Sequence, residues 1–318
     1  MRALITGVAG QDGFLLSQML ISRGWNVTGS KLKHRLLTED HPLTRKQVID
    51  MDVTDIANVN DVIGTINPQI IYHLAGIASV GFSIKEPEAT NAVNVGGTRN
   101  ILNSVVKHNF TNTLVVHAAS TEIFSDKSGA ISESSDLGPR SPYGESKAEA
   151  FELCRAYRAR GVKVTNAILA NHESYLRSMD FVTGKIANAV ARISLGLASD
   201  LTLGNTDVAK DWSAATDIVE GLILIGEQRF VGDVILANGV STHLQDIIKE
   251  AFAYVGISNW QDYVKSDSAL VRAGESKSIQ IDPSKAFSTL GWKAWTPTSQ
   301  WVGEMVQHQL DLLSKFRD

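Results

Sequence analysis

Short apolar runs alternate with helical patterns through the first half of the chain, and this alternation constrains the fold more than any other feature. Each run has the length of a buried strand, and the segments between the runs carry the periodicity of helices. The predicted strands are Ala3–Thr6, Asn26–Gly29, Gln47–Met51, Gln69–Leu74, Leu114–Ala118 and Val162–Leu169. The predicted helices are Gln11–Arg23, Ile56–Thr65, Glu86–His108 and Tyr143–Arg160. Strands that alternate with helices need crossover connections, so the pattern predicts an α/β fold with a doubly wound parallel sheet.

The alternation becomes less regular after Leu169, where Asn171–Arg177 is predicted to be a polar loop. Further helices are predicted at Phe181–Leu197, Ala214–Glu227, His243–Gly256 and Gln300–Lys315, and further strands at Asp200–Leu203 and Asp233–Ala237. The last of these strands is expected to rejoin the main sheet. We therefore expect a nucleotide-binding domain of residues 1–170, to which 213–240 return, and a smaller C-terminal α/β substrate lobe of residues 171–212 and 241–318. The lobe would be packed by Trp260, Trp292, Trp295 and Trp301.

A glycine-rich turn joins the first predicted strand to the first predicted helix. It reads Gly7-Val8-Ala9-Gly10-Gln11-Asp12-Gly13, with the spacing GxxGxxG. Glycines allow a tight turn and a close approach of the backbone to a pyrophosphate, which lies at the N-terminus of the helix. A glycine triplet alone is a weak signal, but its position after a buried N-terminal strand is typical of a Rossmann-type dinucleotide site. The alternative is a purely structural turn.

The residues after the second strand bear on which dinucleotide is bound. NAD sites usually place a carboxylate there, which binds the adenosine ribose. This chain has Lys31, Lys33 and Arg35 instead, and no carboxylate before Glu39. Cations suit a 2′-phosphate, so the sequence favours NADP over NAD, with a solvated basic loop as the alternative. The cofactor is also expected to pass strand ends at Asp52, Val53, Leu74, Ala75 and Gly76.

Tyr143 and Lys147 stand four residues apart on a predicted helix, so their side chains share one face. An ammonium beside the phenol is expected to favour the ionised form and to move the pKa of Tyr143 towards neutrality. Ser120 and Glu122 follow the fifth strand, and ligands of open α/β sheets bind at the carboxyl ends of strands. These four side chains are therefore predicted to meet beside a nicotinamide, although each type is also common on solvated surfaces.

Composition narrows the possible classes of function. Of 318 residues, 43% are hydrophobic and 20% charged, as in ordinary soluble proteins. A net charge of −4 gives no sign of a nucleic-acid partner or an anionic membrane surface. No apolar run approaches the roughly 20 residues of a membrane span, and no signal peptide is recognised. The single Cys154 excludes an internal disulfide, which fits a reducing compartment, so we expect a cytoplasmic protein. We also expect no membrane partner, and no metal site is predicted.

Longer motifs carry a resemblance to a known family across most of the chain. Besides the glycine turn with its Gln11-Asp12, they are Pro139-Arg140-Ser141-Pro142-Tyr143-Gly144, Asn171-His172-Glu173-Ser174, Phe181-Val182-Thr183, Ala191-Arg192-Ile193-Ser194-Leu195-Gly196-Leu197 and Asp211-Trp212. The Asn-His-Glu-Ser and Ala-Arg-Ile-x-Leu-Gly-Leu pieces are much more specific than the glycines. The chain resembles the extended short-chain dehydrogenases/reductases and, within that superfamily, the GDP-mannose 4,6-dehydratase family.

The resemblance implies a reaction of GDP-mannose, or of a close GDP-hexose, without net redox change. Tyr143 takes the C4 hydroxyl proton while the C4 hydride moves to NADP⁺, and Ser120 polarises the C4 oxygen. Glu122 removes the C5 proton and helps the C6 hydroxyl leave as water, and the hydride then returns to C6. The resemblance also implies cofactor contacts for His172 and Arg177. It implies nucleotide-sugar contacts for Ser79, Asn171, Lys185, Lys210, Arg272 and Glu275.

The sequence departs from the family pattern at several positions. Ser120 stands where the family usually has threonine, and Lys210 replaces an arginine, which is the better bidentate partner for phosphate. The loop from Lys31 to Gln47 is shorter than the family loop, which reaches a neighbouring subunit's cofactor site in a tetramer. A homodimer through the helices Glu86–His108 and Tyr143–Arg160 is therefore expected.

Two other functions remain open on the sequence alone. One is a GDP-4-keto-6-deoxysugar reductase or 4-epimerase, which shares the fold and the Tyr143/Lys147 pair. The other is a non-catalytic NADP-binding sensor. Glu122 and Gln11-Asp12 favour the dehydratase over the reductase, and Glu122 matters most because elimination needs a second general base. The intact set of Tyr143, Lys147 and Glu122 argues against the sensor.

Overall fold

A computed structural model of the protein describes residues 1–125, 130–270 and 279–315. Its strands are β1 (Arg2–Thr6), β2 (Asn26–Lys31), β3 (Val48–Asp50), β4 (Ile70–His73), β5 (Leu114–Ser120), β6 (Val164–Leu169), β7 (Asn171–Glu173), β8 (Leu201–Leu203), β9 (Ala209–Ala214), β10 (Asp233–Leu236), β11 (Ser241–His243) and β12 (Val264–Ser266). Its α-helices are α1 (Gln11–Ser22), α2 (Ile56–Ile66), α3 (Val80–Lys85), α4 (Pro87–Asn91), α5 (Gly97–Lys107), α6 (Pro142–Ala159), α7 (Val182–Ser194), α8 (Ala215–Gln228), α9 (Leu244–Tyr254), α10 (Ser284–Leu290) and α11 (Thr298–Ser314). Within the described ranges, no helix combines the length and apolarity needed to cross a membrane.

Seven strands form one parallel sheet in the order β10-β6-β5-β4-β1-β2-β3. Apart from β10, this is the strand order of Rossmann dinucleotide-binding folds. The predicted doubly wound parallel sheet is therefore confirmed, and β10 rejoins it as expected. The strand order reverses between β1 and β4, which is the switch point where such sheets bind ligands.

Helices cover both faces of this sheet. On one face α1 and α8 pack through residues such as Leu16 and Leu222, which lie in one apolar cluster. On the other face α2 and α5 pack through residues such as Ile63 and Ile101, which lie in another. Because both faces are covered, most of the strands are continuous apolar runs, which is why the sequence predicts them clearly.

One row of residues that pair across neighbouring strands of the main sheet is polar and buried. In adjacent strands from β1 to β10 it contains Thr6, His73, His117, Asn166 and Asp233. Hydrogen bonds join Thr6 Oγ1 to His73 Nδ1, His117 Nδ1 to Asn166 Oδ1, and Asn166 Nδ2 to Asp233 Oδ1, each at 2.9 Å. Burial lowers the pKa of both histidines, to about 3 for His117, so both rings are neutral. Hydrogen bonding thus offsets the cost of burying these polar groups.

The predicted helix Glu86–His108 consists of three consecutive pieces: α4, a π-helix over Ala92–Gly96, and α5. The π-helix carries Asn94, whose Oδ1 accepts from the Ile77 N–H at 2.8 Å. The Asn94 Nδ2 donates to Ser146 Oγ at 2.9 Å. This local irregularity therefore ties the segment after β4 to α6, beside the sheet's switch point.

Two small sheets follow the main one along the chain, with the strand orders β11-β9-β7 and β12-β8. The prediction of a polar loop at Asn171–Arg177 was wrong for its first three residues, which form β7. Strand β9 was not predicted at all. Strand β7 has only three residues, and β9 contains polar residues among its apolar ones. The two strands pair in parallel although they lie far apart along the chain. Their pairing is therefore a tertiary effect that no local pattern shows.

The C-terminal tryptophans are divided between two packing clusters. Trp301 and Trp260 pack in the apolar cluster of the lobe. Trp292 instead packs in the main-sheet cluster and donates its Nε1–H to Asp217 O at 2.9 Å. Trp295 is 67% exposed. The prediction that all four pack the lobe was therefore wrong for Trp292 and Trp295, while the division into domains remains a prediction.

Candidate active site

The glycine-rich turn lies between the ends of β1 and β4. Gly7 has a φ of +78°, and a Cβ there would lie 2.9 Å from the Ala75 backbone, while a Cβ on Gly13 would lie 2.5 Å from Gly7 O. Gly7 and Gly13 are therefore required by the conformation and close packing of the turn, whether or not a ligand binds. Gly10 is exposed, the nearest protein atom to its Cβ would be 3.4 Å away, and it precedes α1 without a side-chain cap. The open helix N-terminus at Gly10 fits a pyrophosphate.

The loop after β2 folds back over this turn. His41 accepts from the Leu43 N–H on Nδ1 and donates from Nε2 to Val8 O at 3.0 Å. Its ring also meets Phe14 edge to face. A cavity of about 110 Å³ lies here, lined by Gly10, Gln11 and Leu176 among others. The loop after β2 therefore closes one side of the glycine-rich turn.

Asp12 and His172 form an ion pair beside the turn. His172 Nε2 lies 3.0 Å from Asp12 Oδ2, and His172 Nδ1 donates to Ala170 O at 2.7 Å. Burial opposes ionisation of both groups, but their mutual attraction prevails, lowering the pKa of Asp12 to about 2 and raising that of His172. Gln11 accepts from Ser174 Oγ at 2.9 Å and donates to His172 O at 3.1 Å. These contacts tie α1 to β7.

Arg177 joins the same cluster. Its Nε donates to Glu173 Oε2 at 2.6 Å, and it also donates to His172 O. Thr183 Oγ1 donates to the same carboxylate oxygen at 2.8 Å, and the guanidinium lies over the Phe181 ring. Arg177 thus links β7 to the start of α7, at the side of the turn where a cofactor contact was predicted.

The three cations predicted at the adenosine end are not equivalent. Lys31 Nζ pairs with Asp50 Oδ1 at 2.9 Å, so a carboxylate of β3 offsets its charge. Lys33 and Arg35 are exposed and form no ion pair within the described ranges. Lys31 is therefore a weaker candidate for a 2′-phosphate than the other two. The Asp52 carboxylate accepts from Thr54 at 2.7 Å.

The segment after β4 lies against both the glycine turn and the catalytic helix. The N–H groups of Leu74 and Ala75 donate to Thr6 Oγ1 at 3.1 and 3.0 Å. A Cβ on Gly76 would lie 3.5 Å from Lys147 Nζ. Val53 is buried near Gly97, whose Cβ would lie 2.7 Å from it.

Ser120, Tyr143 and Lys147 meet where β5 ends and α6 begins. Ser120 interacts with the Tyr143 phenol and favours its ionised form, and Lys147 Nζ donates to Ala118 O at 2.9 Å. Ser141 caps α6 by accepting from the Gly144 N–H at 3.0 Å. Both Ser120 and Tyr143 are buried. The structure therefore brings together the three residues that the spacing and the strand end predicted.

Burial sets the proton affinities of this cluster. It raises the pKa of Tyr143 to about 12 in spite of the interaction with Ser120, and it lowers the pKa of Lys147 to about 8. The prediction that Lys147 moves the pKa of Tyr143 towards neutrality was therefore wrong. The physical reason is that burial disfavours the charged form of the phenol and that Glu122 adds negative charge nearby.

Two residues that the sequence analysis did not single out position Tyr143. A Cβ on Gly144 would lie 2.7 Å from Glu122 O, so the glycine lets α6 approach the 3₁₀-helix Thr121–Ile123. Ser83 Oγ accepts from the Tyr143 N–H at 3.0 Å. Gly144 was visible inside a motif, but its close approach was not. Ser83 lies 60 residues before Tyr143, so no local pattern connects the two.

Glu122 lies on that 3₁₀-helix, and its N–H donates to Ser120 Oγ at 3.2 Å. Lys210 of β9 places its Nζ 3.7 Å from Glu122 Oε1. The Lys210 side chain is 18% exposed and that of Glu122 29%. The two residues, predicted separately as a base and as a nucleotide-sugar contact, thus lie next to each other.

The other residues predicted to contact the nucleotide sugar lie on different elements of the fold. Ser79 caps α3 by accepting from the Phe82 N–H at 3.1 Å. Asn171 pairs with Trp212 across β7 and β9, and Lys185 is exposed on α7. Arg272 and Glu275 lie outside the described residues.

The fold and the site define a class. The structure has a Rossmann-type sheet with a glycine turn after β1, a hydroxyl at the end of β5 and a Tyr/Lys pair on α6, which is the arrangement that the resemblance to the short-chain dehydrogenases/reductases implied. The model of the family described as GDP-mannose 4,6 dehydratase matches residues 4–305, and the chain belongs to this family. The resemblance predicted from the motifs is confirmed.

Relatives and solved structures agree with this assignment. GDP-mannose 4,6 dehydratase 2 of Arabidopsis thaliana is 33% identical over 98% of this chain and 88% of its own length. GDP-mannose 4,6-dehydratase of Sinorhizobium fredii (strain HH103) is 32% identical over 98% and 97%. RMD from Pseudomonas aeruginosa, solved with NADPH, has a TM-score of 0.84 at 20% identity, covering 98% of this chain and 99% of its own. The Bacillus anthracis dTDP-glucose 4,6-dehydratase with NAD has 0.81 at 19%, covering 97% and 96%. These two structures support the fold alone.

Proposed function

We propose that this protein is an NADP-dependent dehydratase that converts GDP-mannose to its 4-keto-6-deoxy derivative. The observation that carries the proposal is the meeting of an oxidation cluster, Ser120, Tyr143 and Lys147, with a further carboxylate, Glu122, at the end of β5. Two relatives with 32–33% identity over 98% of the chain bear the name of this activity, which supports the substrate.

The cofactor proposal rests on the geometry of the glycine turn and of the cations near it. Gly10 leaves the N-terminus of α1 open, and the exposed cations Lys33 and Arg35 after β2 support NADP over NAD. One solved neighbour carries NADPH and another NAD, so a nicotinamide dinucleotide suits the fold. When bound, it supplies the acceptor and later the donor of the hydride.

Tyr143 takes the proton of the C4 hydroxyl, and Ser120 hydrogen-bonds the C4 oxygen. Because burial raises the pKa of Tyr143 to about 12, ionisation of the phenol needs positive charge nearby. Lys147 supplies part of that charge, and a bound oxidised nicotinamide would add to it. The ketone formed at C4 then acidifies the C5–H bond.

Glu122 removes the C5 proton, which allows the C6 hydroxyl to leave as water. This second base distinguishes dehydration from simple oxidation of an alcohol. Glu122 later returns a proton to C5 when C6 is reduced. The cycle ends with the cofactor in its original redox state, so no external reductant is consumed.

The test is an incubation of the purified protein with GDP-mannose in D₂O without added reductant, followed by NMR and mass spectrometry. We expect a 4-keto-6-deoxy sugar with solvent deuterium at C5. A reductase or 4-epimerase would form no such product from GDP-mannose. Tight NADP binding without turnover of any nucleotide sugar would identify the sensor instead and would contradict the proposal.

We further propose a cytoplasmic homodimer that pairs through α5 and α6. Sedimentation of the purified protein tests the dimer. A monomer or a tetramer at micromolar concentration would contradict it.

A further inference from the structure

An ion pair joins the ends of β2 and β3 at the edge of the main sheet. Lys31 is the last residue of β2 and Asp50 the last residue of β3, and the two are partners in the parallel pairing of these strands. Lys31 Nζ lies 2.9 Å from Asp50 Oδ1. The Lys31 side chain is 17% exposed and that of Asp50 is 51% exposed, so the carboxylate is the part of the pair that a ligand reaches more easily.

The end of β2 is the place where Rossmann folds recognise the adenosine ribose. A carboxylate about 20 residues after the glycines usually accepts there from a ribose hydroxyl of NAD, whereas a cation accommodates the 2′-phosphate of NADP. Lys31 stands at this place in the chain, and Asp50 brings a carboxylate beside it from the neighbouring strand. The sequence analysis did not single out this carboxylate, because it follows Lys31 by 19 residues.

The pairing of the two strands holds Asp50 in this position. The Met51 N–H donates to Lys31 O at 2.8 Å, directly after the ion pair, and the Met51 side chain is buried. Paired residues of neighbouring strands point to the same face of a sheet, so the register itself brings Lys31 and Asp50 together. A partly exposed ion pair adds little to the free energy of unfolding, so we expect its effect on ligands rather than on the fold.

This ion pair suits a hydroxyl better than a phosphate. A ribose hydroxyl can donate to the Asp50 carboxylate and accept from the Lys31 ammonium at the same time. A 2′-phosphate carries negative charge at neutral pH, so the carboxylate repels it and offsets the attraction of Lys31. Attraction of a 2′-phosphate is therefore left to the exposed cations Lys33 and Arg35.

On the basis of the proposed function, in which the protein binds a nicotinamide dinucleotide, we propose that Asp50 sets the cofactor preference by accepting a hydrogen bond from the adenosine ribose. With this carboxylate the site accepts NAD as well as NADP. Asp50 thus opposes the preference for NADP that Lys33 and Arg35 create. The inference concerns the choice of cofactor and leaves the roles of the reacting residues unchanged.

The test compares the dissociation constants of NAD and NADP, measured by titration calorimetry, for the wild type and three variants. Asp50→Asn removes the charge with little change in shape, and Lys31→Met removes the cation from beside the carboxylate. Asp61→Asn is the matched control, because Asp61 is an exposed carboxylate on α2. Thermal unfolding of each variant checks that its fold is intact.

We expect the wild type to bind both dinucleotides. Asp50→Asn should weaken NAD binding by about fivefold and tighten NADP binding by about fivefold, because partly exposed charges have modest effects. Lys31→Met should weaken NADP binding by about threefold and NAD binding by less, since it exposes a 2′-phosphate to an uncompensated carboxylate. Added salt should diminish the changes in NADP binding. Asp61→Asn should match the wild type with both dinucleotides.

Three results would overturn the proposal. An unchanged ratio of the two dissociation constants in Asp50→Asn would show that Asp50 does not discriminate between the cofactors. Weaker NADP binding in Asp50→Asn would mean that Asp50 orients Lys31 towards the 2′-phosphate. A wild-type protein that binds NADP but not NAD would show that the carboxylate does not admit NAD.

Failure of the proposed function has a different signature. A wild-type protein that binds neither dinucleotide would refute the proposed function, and this inference with it. A protein that binds both with the expected response to Asp50→Asn, but forms no product from GDP-mannose, would refute the dehydratase alone.

Discussion

The two parts of the proposed site are built differently. In the oxidation half, Ser120 and Tyr143 are buried and Lys147 is half-buried, and Lys147 on α6 donates a hydrogen bond to Ala118 O on β5. The elimination half, Glu122 and Lys210, is partly exposed and bridges two sheets through an ion pair. The first half lies on the main sheet and its helix α6, whereas the second depends on where β9 of the three-stranded sheet approaches the end of β5. Elimination should therefore be the easier of the two steps to lose by substitution.

The largest expected effects separate the halves. Both Tyr143→Phe and Glu122→Gln should lower product formation by about 1,000-fold, because each removes a general base. Only Glu122→Gln should still oxidise C4 and so accumulate enzyme-bound reduced nicotinamide, visible by absorbance after mixing with GDP-mannose.

The cofactor affinity of both variants provides the control, since neither substitution changes the glycine turn. Accumulation of reduced cofactor in Tyr143→Phe would contradict the assignment of Tyr143 to the oxidation of C4. Full dehydration by Glu122→Gln would contradict the assignment of Glu122 to elimination.

A smaller effect is expected within the oxidation half at Ser120. Ser120→Ala removes the hydroxyl that hydrogen-bonds the C4 oxygen, and kcat should fall by about 100-fold. Ser120→Thr keeps the hydroxyl and should stay close to the wild-type rate. The ratio of kcat values from steady-state assays provides the measurement, and equal rates for alanine and threonine would remove Ser120 from the oxidation half.

The ion pair of Asp12 and His172 ties the cofactor helix to β7 without touching Glu122 or Lys210. The raised pKa of His172 means that its stabilisation is complete below the unfolded value of about 6.5 and is lost as pH rises through the folded pKa. The lowered pKa of Asp12 means that its stabilisation is present above about 4 and is lost as pH falls towards about 2.

Asp12→Asn should therefore lower the free energy of unfolding by about 2 kcal/mol between about pH 4 and about pH 6.5, where both groups are charged. Thermal unfolding of both proteins across pH measures this difference, which should shrink as pH rises above neutrality. A difference that does not change with pH would show that the two residues do not form an ion pair.

The smallest expected effect lies at the adenosine end, far from both halves. Replacing Lys33 and Arg35 together by methionine should weaken NADP binding by about tenfold, because exposed cations contribute little individually. NAD binding should be unchanged, and the same substitution at Lys31 should matter less because Asp50 offsets its charge. Titration calorimetry with both dinucleotides compares them, and equal weakening for NAD would argue against a 2′-phosphate site.

The sequence predicts the oxidation half better than the elimination half, for physical reasons. Periodic apolar strands and the spacing of Tyr143 and Lys147 are local signals, and a parallel sheet places strand ends at one edge. The contact of Lys210 with Glu122 depends on the pairing of β9 with β7 and β11, which is not local. The motif that contains Gly144 showed a glycine, but the 2.7 Å approach that requires it comes only from the packing of α6.

The electrostatics were least accessible from the sequence. Spacing alone suggested a lowered pKa for Tyr143, but burial, which spacing does not report, reverses the direction. The same holds for Trp292, which packs on the main sheet together with Ala286 and Leu290 although this stretch was predicted to belong to the lobe. Burial is a property of the whole fold, so residues whose role depends on it are the ones that sequence patterns misplace.

The central claim is that one site oxidises C4 and reduces C6 of the same sugar. GDP-mannose deuterated at C4 tests it most directly, with unlabelled NADP⁺ present in excess. The account predicts that the deuterium appears at C6 of the 4-keto-6-deoxy product and stays out of the free cofactor pool. Deuterium in free NADPH, or a C6 without the label, would contradict the account.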